Sequence, residues 1–303
     1  MQFKFIKHTT LWFILSGLIL ALGVGAMIFN QIKTGSPLKF GIDFTGGSLM
    51  EYRFETASKT SGVELKDALN VSFPEMVNQV TLTGEGTHLV QAKDLSEEEL
   101  GKVNAFLKQN YGPFELLRFT SIGPKIGNTL KQRALLALAL AMGAIVLYIT
   151  YAFRHVPKRV SPWRFGWCAL IALFHDALST IGIIALLNYE VDALFITALL
   201  TVIGFSVHDT IVVFDRIREN LKFQGRDDTF GDIADRSLNQ TIARSINTSL
   251  TTIIMLTALY IFGAPTLRHF VFALIFGITV GTYSSIFIAS PLLTWWQEKS
   301  RIR

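Results

Sequence analysis

The 303-residue sequence has a single cysteine, Cys168, so it holds no internal disulfide framework. Charged side chains are scarce, at 17% of the chain, whereas hydrophobic residues make up 50% and the mean hydropathy is +0.40. That balance excludes an ordinary soluble protein of this length, for which about two domains would be the first expectation. The polar part of the chain has no metal-ligand cluster, no nucleotide loop and no nucleophile–base pair. Gly46-Gly47 is a two-glycine turn, too little for a phosphate site. The net charge of +5 does not signal nucleic acid, because the basic residues sit beside apolar runs, as juxtamembrane charge does.

Long apolar runs dominate what is present. About 20 apolar residues cross a hydrocarbon core at ~1.5 Å per residue. Thr9–Phe29 is the first such run, and a polar stretch follows to about Arg133. Then come Ala134–Phe153, Trp163–Leu187, Val191–Phe214, Ala243–Phe262 and Leu267–Trp296, a one-plus-five arrangement of six spans. Lys4 and Lys7 before the first run would suit a cleaved signal peptide, but its apolar core is too long for one, so an uncleaved anchor is expected.

Lys and Arg gather at the amino end, at 154–164, at 216–236 and at the carboxyl end, and are nearly absent from "NYEVD" (188–192) and "GAPTLRH" (263–269). This places both termini inside and the polar domain outside. Trp12, Trp163, Trp167, Trp295 and Trp296 fall near inner span ends, as an interfacial belt would. The expected division is 1–30 for the amino end and first span, 31–130 for the outer domain, and 131–303 for a five-helix bundle with an inner loop at 215–242.

The outer domain reads as α+β. Gly47–Glu55 is a strand, and Ser61 with Glu64 forms a capping box that starts a helix. "NQVTLTGEGTHLVQAK" reads as a hairpin turning at Gly84-Glu85-Gly86. Ser96 with Glu99 caps a second helix, and "PFELLRFTSIG" is a last strand. The order β-α-β-β-α-β is that of a ferredoxin-like unit, which names no function by itself.

Ionisable residues within spans are functional-site candidates. An Asp at a helix centre costs about 3 kcal/mol on insertion scales. Asp209, beside His208, is followed by "TIVVF", so the apolar run continues for more than a turn beyond it. It reads either as the start of the inner helix end or as a buried carboxylate that exchanges a proton, with a neighbouring imidazole as relay. His208 lies about 100° around the helix from Asp209, so the two need not share a face. Arg244 is the candidate counter-charge, or else an interfacial arginine reaching for water. Asn247, Thr248 and Thr251 follow it, and Arg244, Thr248 and Thr251 share one face, better suited to a protein interior or water path than to lipid. His175-Asp176, midway through a span, is the deepest charge, either a packed pair fixing helix register or part of a proton path. Gly182, Gly204, Ser206, Gly277 and Gly281 are small residues suited to close helix seams.

Five separated stretches together resemble the SecF family: "FGIDFTGGSLMEYRF", "SIGPKIGNTL", "LIALFHDALSTIGI", "IGFSVHDTIVVFDRIREN" and "SLNQTIARSINTSLTT". Many members carry Asn where this chain has His208. The resemblance implies a membrane α-helical bundle of six transmembrane helices, half of an RND-type bundle, in the bacterial cytoplasmic (inner) membrane. It implies a periplasmic α+β ferredoxin-like domain inserted between spans one and two. It implies pairing with SecD, and work with the SecYEG channel, the SecA motor, the translocating unfolded polypeptide and YajC-type and YidC-type membrane subunits.

No cofactor, metal or enzymatic step is implied. Export would draw on the proton-motive force through residues matching Asp209 and Arg244, with Asp176 beside them and His175, His208, Asn247, Thr248 and Thr251 in support. Protonating Asp209 from outside would then weaken its pairing with Arg244 and shift the bundle. Two other classes stay open: a scaffold of the translocase without proton coupling of its own, and a component of an RND-type small-solute pump.

Overall fold

The computed structural model describes every residue except 1–2, 56–60, 75, 83–85, 158–159, 224, 226–227 and 300–303. The expected turn at Gly84-Glu85-Gly86 falls partly outside the described residues, as do the charges at Lys158, Arg159, Arg226, Arg301 and Arg303. In chain order the elements are α1 (Thr9–Thr34), β1 (Lys39–Phe40), α2 (Ile42–Thr45), β2 (Gly47–Phe54), α3 (Gly62–Ser72), β3 (Val77–Leu82), β4 (His88–Ala92) and α4 (Glu97–Tyr111). They continue as β5 (Phe114–Ile122), α5 (Pro124–Ala152), α6 (Pro162–Leu186), β6 (Glu190–Val191), α7 (Ala193–Lys222), α8 (Phe230–Phe262), α9 (Arg268–Ser284) and α10 (Ser290–Lys299). The chain divides into two units, Phe40–Leu135 and the remainder.

In the unit Phe40–Leu135, both capping boxes form as read. The Glu64 amide donates to Ser61 Oγ at 3.1 Å and the Ser61 amide returns to the Glu64 carboxylate at 3.0 Å. Ser96 and Glu99 exchange the same bonds at 3.3 and 2.8 Å. β2 lies at the centre of the sheet, antiparallel to β4 on one side and to β5 on the other, with β3 outside β4. One sheet face is closed by α3 and α4, so Met50, Tyr52, Val90, Leu65, Leu69, Val103 and Leu107 form one core. The Tyr52 hydroxyl within it donates to Asn104 Oδ1 at 2.9 Å, and burial pushes its pKa up.

The glycine pair before β2 has a structural reason. Gly46 and Gly47 have φ of 75° and 127°, a region that costs a side-chain-bearing residue strain. A Cβ on Gly46 would lie 2.6 Å from Pro124 Cα, and one on Gly47 2.5 Å from the Ala92 carbonyl oxygen. Only hydrogen fits where β2 starts beside β4 and the first turn of α5.

The other unit is a helical bundle. Among the described residues of the whole chain, six stretches are long and apolar enough to cross a membrane: Ile6–Thr34, Pro124–Ala152, Pro162–Leu186, Ala193–Lys222, Phe230–Phe262 and Pro265–Lys299. Several run past the apolar segments read from sequence, because backbone hydrogen bonding does not stop where oiliness does. Within the stretch 215–242, expected as a loop, residues 215–222 and 230–242 are helical. Thr229 starts α8 early: its hydroxyl accepts from the Asp232 amide at 3.1 Å, and the Asp232 carboxylate accepts from the Thr229 amide at 3.1 Å.

α6, α7 and the α9–α10 stretch form the buried centre, and α1, α5 and α8 surround it. Phe165 anchors one end, stacked on Phe153 at 4.9 Å and edge-on to Phe214 at 5.2 Å. The segment before α1 is strapped to α8. Asn239 accepts from the Phe3 amide at 3.0 Å and donates to the Phe3 carbonyl at 2.8 Å. Asp235 accepts from the Ile6 amide at 2.9 Å, and Phe5 between them is buried.

Candidate functional site

The charged residues of the spans meet where α6, α7, α8 and α9 pack together. The α7–α9 seam is drawn tight by two glycines. A Cβ on Gly277 would overlap the Val202 methyl groups, and one on Gly281 would lie 2.9 Å from Ser206 Cβ. The small-xxx-small pair therefore brings backbones within reach of short polar side chains.

Asp176, on α6, is fully buried and fully engaged. Its Oδ2 accepts from Ser206 Oγ of α7 at 2.5 Å and from Ser284 Oγ of α9 at 2.7 Å, and its Oδ1 lies 3.1 Å from His175 Nδ1. His175 Nε2 and Ser179 Oγ, also buried, have no hydrogen-bond partner among the described residues. Ser285 starts the π-helical turn Ser285–Ala289, and its hydroxyl pairs with Thr210 Oγ1 of α7 at 2.8 Å.

Asp209, on the same helix as Ser206, is 5% exposed. Among the described residues its buried Oδ2 has no hydrogen-bond partner, and neither has Ser245 Oγ on the neighbouring α8. Ser245, His208 and Arg244 are the groups close enough to act on this carboxylate, yet none makes an ion pair with it among the described residues. The direct pairing of Asp209 with Arg244 expected from sequence is thus not formed in this conformation. Arg244 instead is exposed, as are His208, Asn247, Thr248 and Thr251.

The polar stripe of α8 faces away from the rest of this chain rather than into its interior. The reason is that α8 turns its serines inward: Ser249 Oγ meets Thr282 Oγ1 of α9 at 2.5 Å, and Ser245 is buried beside it. The stripe's hydroxyls are met within α8, Thr248 donating to the Arg244 carbonyl and Thr251 to the Thr248 carbonyl, each at 2.9 Å.

The structure therefore brings Asp176 and His175 into one cluster and leaves Asp209 within electrostatic reach of Arg244 and His208. It leaves Asn247, Thr248 and Thr251 outside both. Ser284, Ser285 and Thr210 were not singled out from sequence, although adjacent serines in "GTYSSIF" are an unusual pair within a span. No group of three or more His, Cys, Asp or Glu side chains that could hold a metal ion occurs among the described residues.

Residues 102–299 match the family described as protein export membrane protein SecD/SecF, C-terminal, and residues 34–58 match the SecD/SecF GG motif. The protein translocase subunit SecF of Thermobaculum terrenum is 46% identical over 280 residues, covering 88% of this chain and 87% of that protein. That of Anaerolinea thermophila is 43% identical, covering 86% and 85%. Among solved structures, SecDF of Thermus thermophilus, described as a translocon-associated membrane protein, superposes with a TM-score of 0.84 at 32% identity. The match covers 98% of this chain but 39% of that longer one. SecDF in a super-membrane-facing form gives a TM-score of 0.69 at 31% identity, covering all of this chain and 40% of that one.

Proposed function

The chain belongs to the SecD/SecF family of protein-export membrane proteins, as a SecF-type accessory subunit of the Sec machinery, and we propose that Asp209 couples its work to the proton-motive force. The carrying observation is a buried carboxylate oxygen without a donor among the described residues, on a membrane-length helix, with Ser245, His208 and Arg244 near enough to feel its charge. Such a group is costly as an anion and inexpensive when protonated. Protonation removes its attraction for Arg244, and deprotonation restores it, so α7 and α8 have two arrangements to choose between. A proton falling through 100 mV releases about 2.3 kcal/mol. That matches the ~1–3 kcal/mol by which coupled sites bias a two-state protein.

The exposed stripe of Arg244, Asn247, Thr248 and Thr251, with His208, supports the pairing with SecD. Charged and polar side chains are not left facing lipid when a protein partner can cover them. The longer SecDF chains, of which this chain matches about two fifths, carry additional protein of the kind that could do so. In this reading the bundle lies in the bacterial inner membrane with both termini cytoplasmic. The domain 31–130 is periplasmic and ferredoxin-like, in keeping with its antiparallel strand order β3-β4-β2-β5. SecYEG, SecA, the exported polypeptide, and YajC-type and YidC-type subunits are the partners of that assembly.

The test is export of a secreted precursor into inverted vesicles carrying Asp209→Asn, with and without a proton gradient, after confirming that the subunit assembles with SecD. Loss of the gradient-dependent part alone is the expected result. A variant that still responds fully to the gradient would return the chain to the role of scaffold.

A further inference from the structure

Asp176 was placed beside Asp209 as a proton-coupling residue, but its surroundings fit another task. Asp209 has an oxygen without a donor among the described residues, whereas both oxygens of Asp176 are engaged. The two hydroxyls that reach Asp176 come from different helices and fix α6 to α7 and to α9 at a single point. Ser284 could have stayed within its own helix, where it also reaches the Gly281 carbonyl at 3.1 Å, the usual local bond of a helical serine. Among the described residues Ser206 Oγ has no such local partner, and Gly281 opens the space that lets it lean towards Asp176.

Directly after Ser284 the helix widens into its π turn, a feature common where a helix is adapted to a function. That turn aims Ser285 at Thr210, and Ser285 Oγ also donates to the Gly281 carbonyl at 2.9 Å. α7 is thus pinned three residues before Asp209, at Ser206, and one residue after it, at Thr210. The titratable groups near the clamp are His175 on the same helix and Tyr283 of α9, whose ring centroid is 6.4 Å from the imidazole. α7 brings only the Ser206 hydroxyl to Asp176.

We propose that Asp176 is a positioning residue: with Ser206 and Ser284 it clamps α7 against α6 and α9 and so fixes the height of Asp209 relative to Ser245 and Arg244. This rests on the reading of Asp209 as the proton carrier.

Three variants in the full chain, assembled with its SecD partner, test the clamp. Asp176→Asn keeps an oxygen with two lone pairs for both serines, and its amide can face His175 Nδ1 in the other tautomer, but it carries no titrating proton. Asp176→Leu removes clamp and proton together. Ser206→Ala with Ser284→Ala cuts the clamp and leaves the carboxylate. The measurements are gradient-dependent export and the pH midpoint at which Asp209 reacts with dicyclohexylcarbodiimide, read by mass spectrometry of the labelled peptide.

The clamp requires that Asp176→Leu and the serine pair each lose about ten-fold in gradient-dependent export, a size typical of lost coupling between sites. Both must also move the Asp209 labelling midpoint. Asp176→Asn must recover export to within about two-fold and leave the midpoint in place, because both bonds to the serines persist. Loss of export in Asp176→Asn overturns the proposal, even if the serine pair fails to assemble, because the proton itself would then be needed. Full export in the serine pair overturns it as well. If Asp209→Asn leaves gradient dependence intact, the proton-carrier reading fails separately, and an unshifted Asp209 midpoint in the serine pair still counts against the clamp.

Discussion

Replacing Gly277 with alanine should loosen the α7–α9 seam, and the size of the effect follows from one side chain. The new Cβ would stand 2.7 Å from Val202 Cγ1 and nearer still to Cγ2. Carbon atoms rest comfortably at about 3.5–4.0 Å, so the deficit is close to ~1 Å. Val202 is fully buried, and valine in a helix has essentially one side-chain rotamer, so it cannot swing aside. The helices must separate instead, at a cost of about 1–3 kcal/mol for an overpacked core.

For a chain of this size each kcal/mol lowers Tm by roughly 2–4 °C, so a drop of about 2–12 °C is expected for the protein in detergent, followed by light scattering or tryptophan fluorescence. Val202→Ala removes both offending methyl groups. The double variant Gly277→Ala/Val202→Ala should therefore be more stable than the sum of the single changes allows, by about 1–2 kcal/mol, as residues in contact show. A Gly277→Ala protein as stable as the parent would refute the seam as described. So would strictly additive losses in the double variant, which would mean that Gly277 and Val202 do not touch.

Two further outcomes follow from the unit Phe40–Leu135. Gly46→Ala should abolish its cooperative unfolding transition, because the added Cβ meets backbone atoms of Pro124 and the φ of 75° adds strain of about 1–3 kcal/mol; a normal transition by circular dichroism would contradict this. The Ser96 amide and hydroxyl hold the Glu99 carboxyl below its ordinary pKa, so the stability it contributes is present above that ordinary value and is lost as pH falls through the lowered one. Amide exchange in the first turn of α4, corrected for intrinsic rate, should accelerate on acidification, and Glu99→Gln should flatten that dependence.

Much of the fold was legible because the interactions that start its elements are local. Ser61 with Glu64 and Ser96 with Glu99 stand three residues apart and point to one turn of backbone. The six apolar runs were legible for the same reason, since a span is a property of about twenty consecutive residues. Helix ends were less so: Thr229 caps α8 with an aspartate at the third position, a weaker signal than the glutamate of a standard box, and the stretch 215–242 passed for a loop.

At the site, carboxylates in oil announced Asp176 and Asp209, but not what surrounds them. Ser206 and Ser284 reach Asp176 from 30 and 108 residues away, and no periodicity encodes that meeting. Which way α8 turns within this chain was not legible, because Arg244, Thr248 and Thr251 form one polar face and the serines beside them another. Ser245 and Ser249, offset by one position from Arg244 and Thr248, occupy the inner side.

The strap that ties Phe3 to Asn239 joins residues 236 positions apart. A ribosome adding about 5–20 residues per second needs roughly 10–50 s to make that interval. Throughout that time α1 is already formed while the partner of its leading segment does not exist. Once α6 is made the first span can already pack on it, Gly23 against Gly182 and Asn30 donating to the Ala185 carbonyl, but its leading segment stays loose until α8 is synthesised. Closure of the strap is thus a late event, so a nascent chain halted before Asp235 would hold a first span packed on α6 whose leading segment is not yet moored.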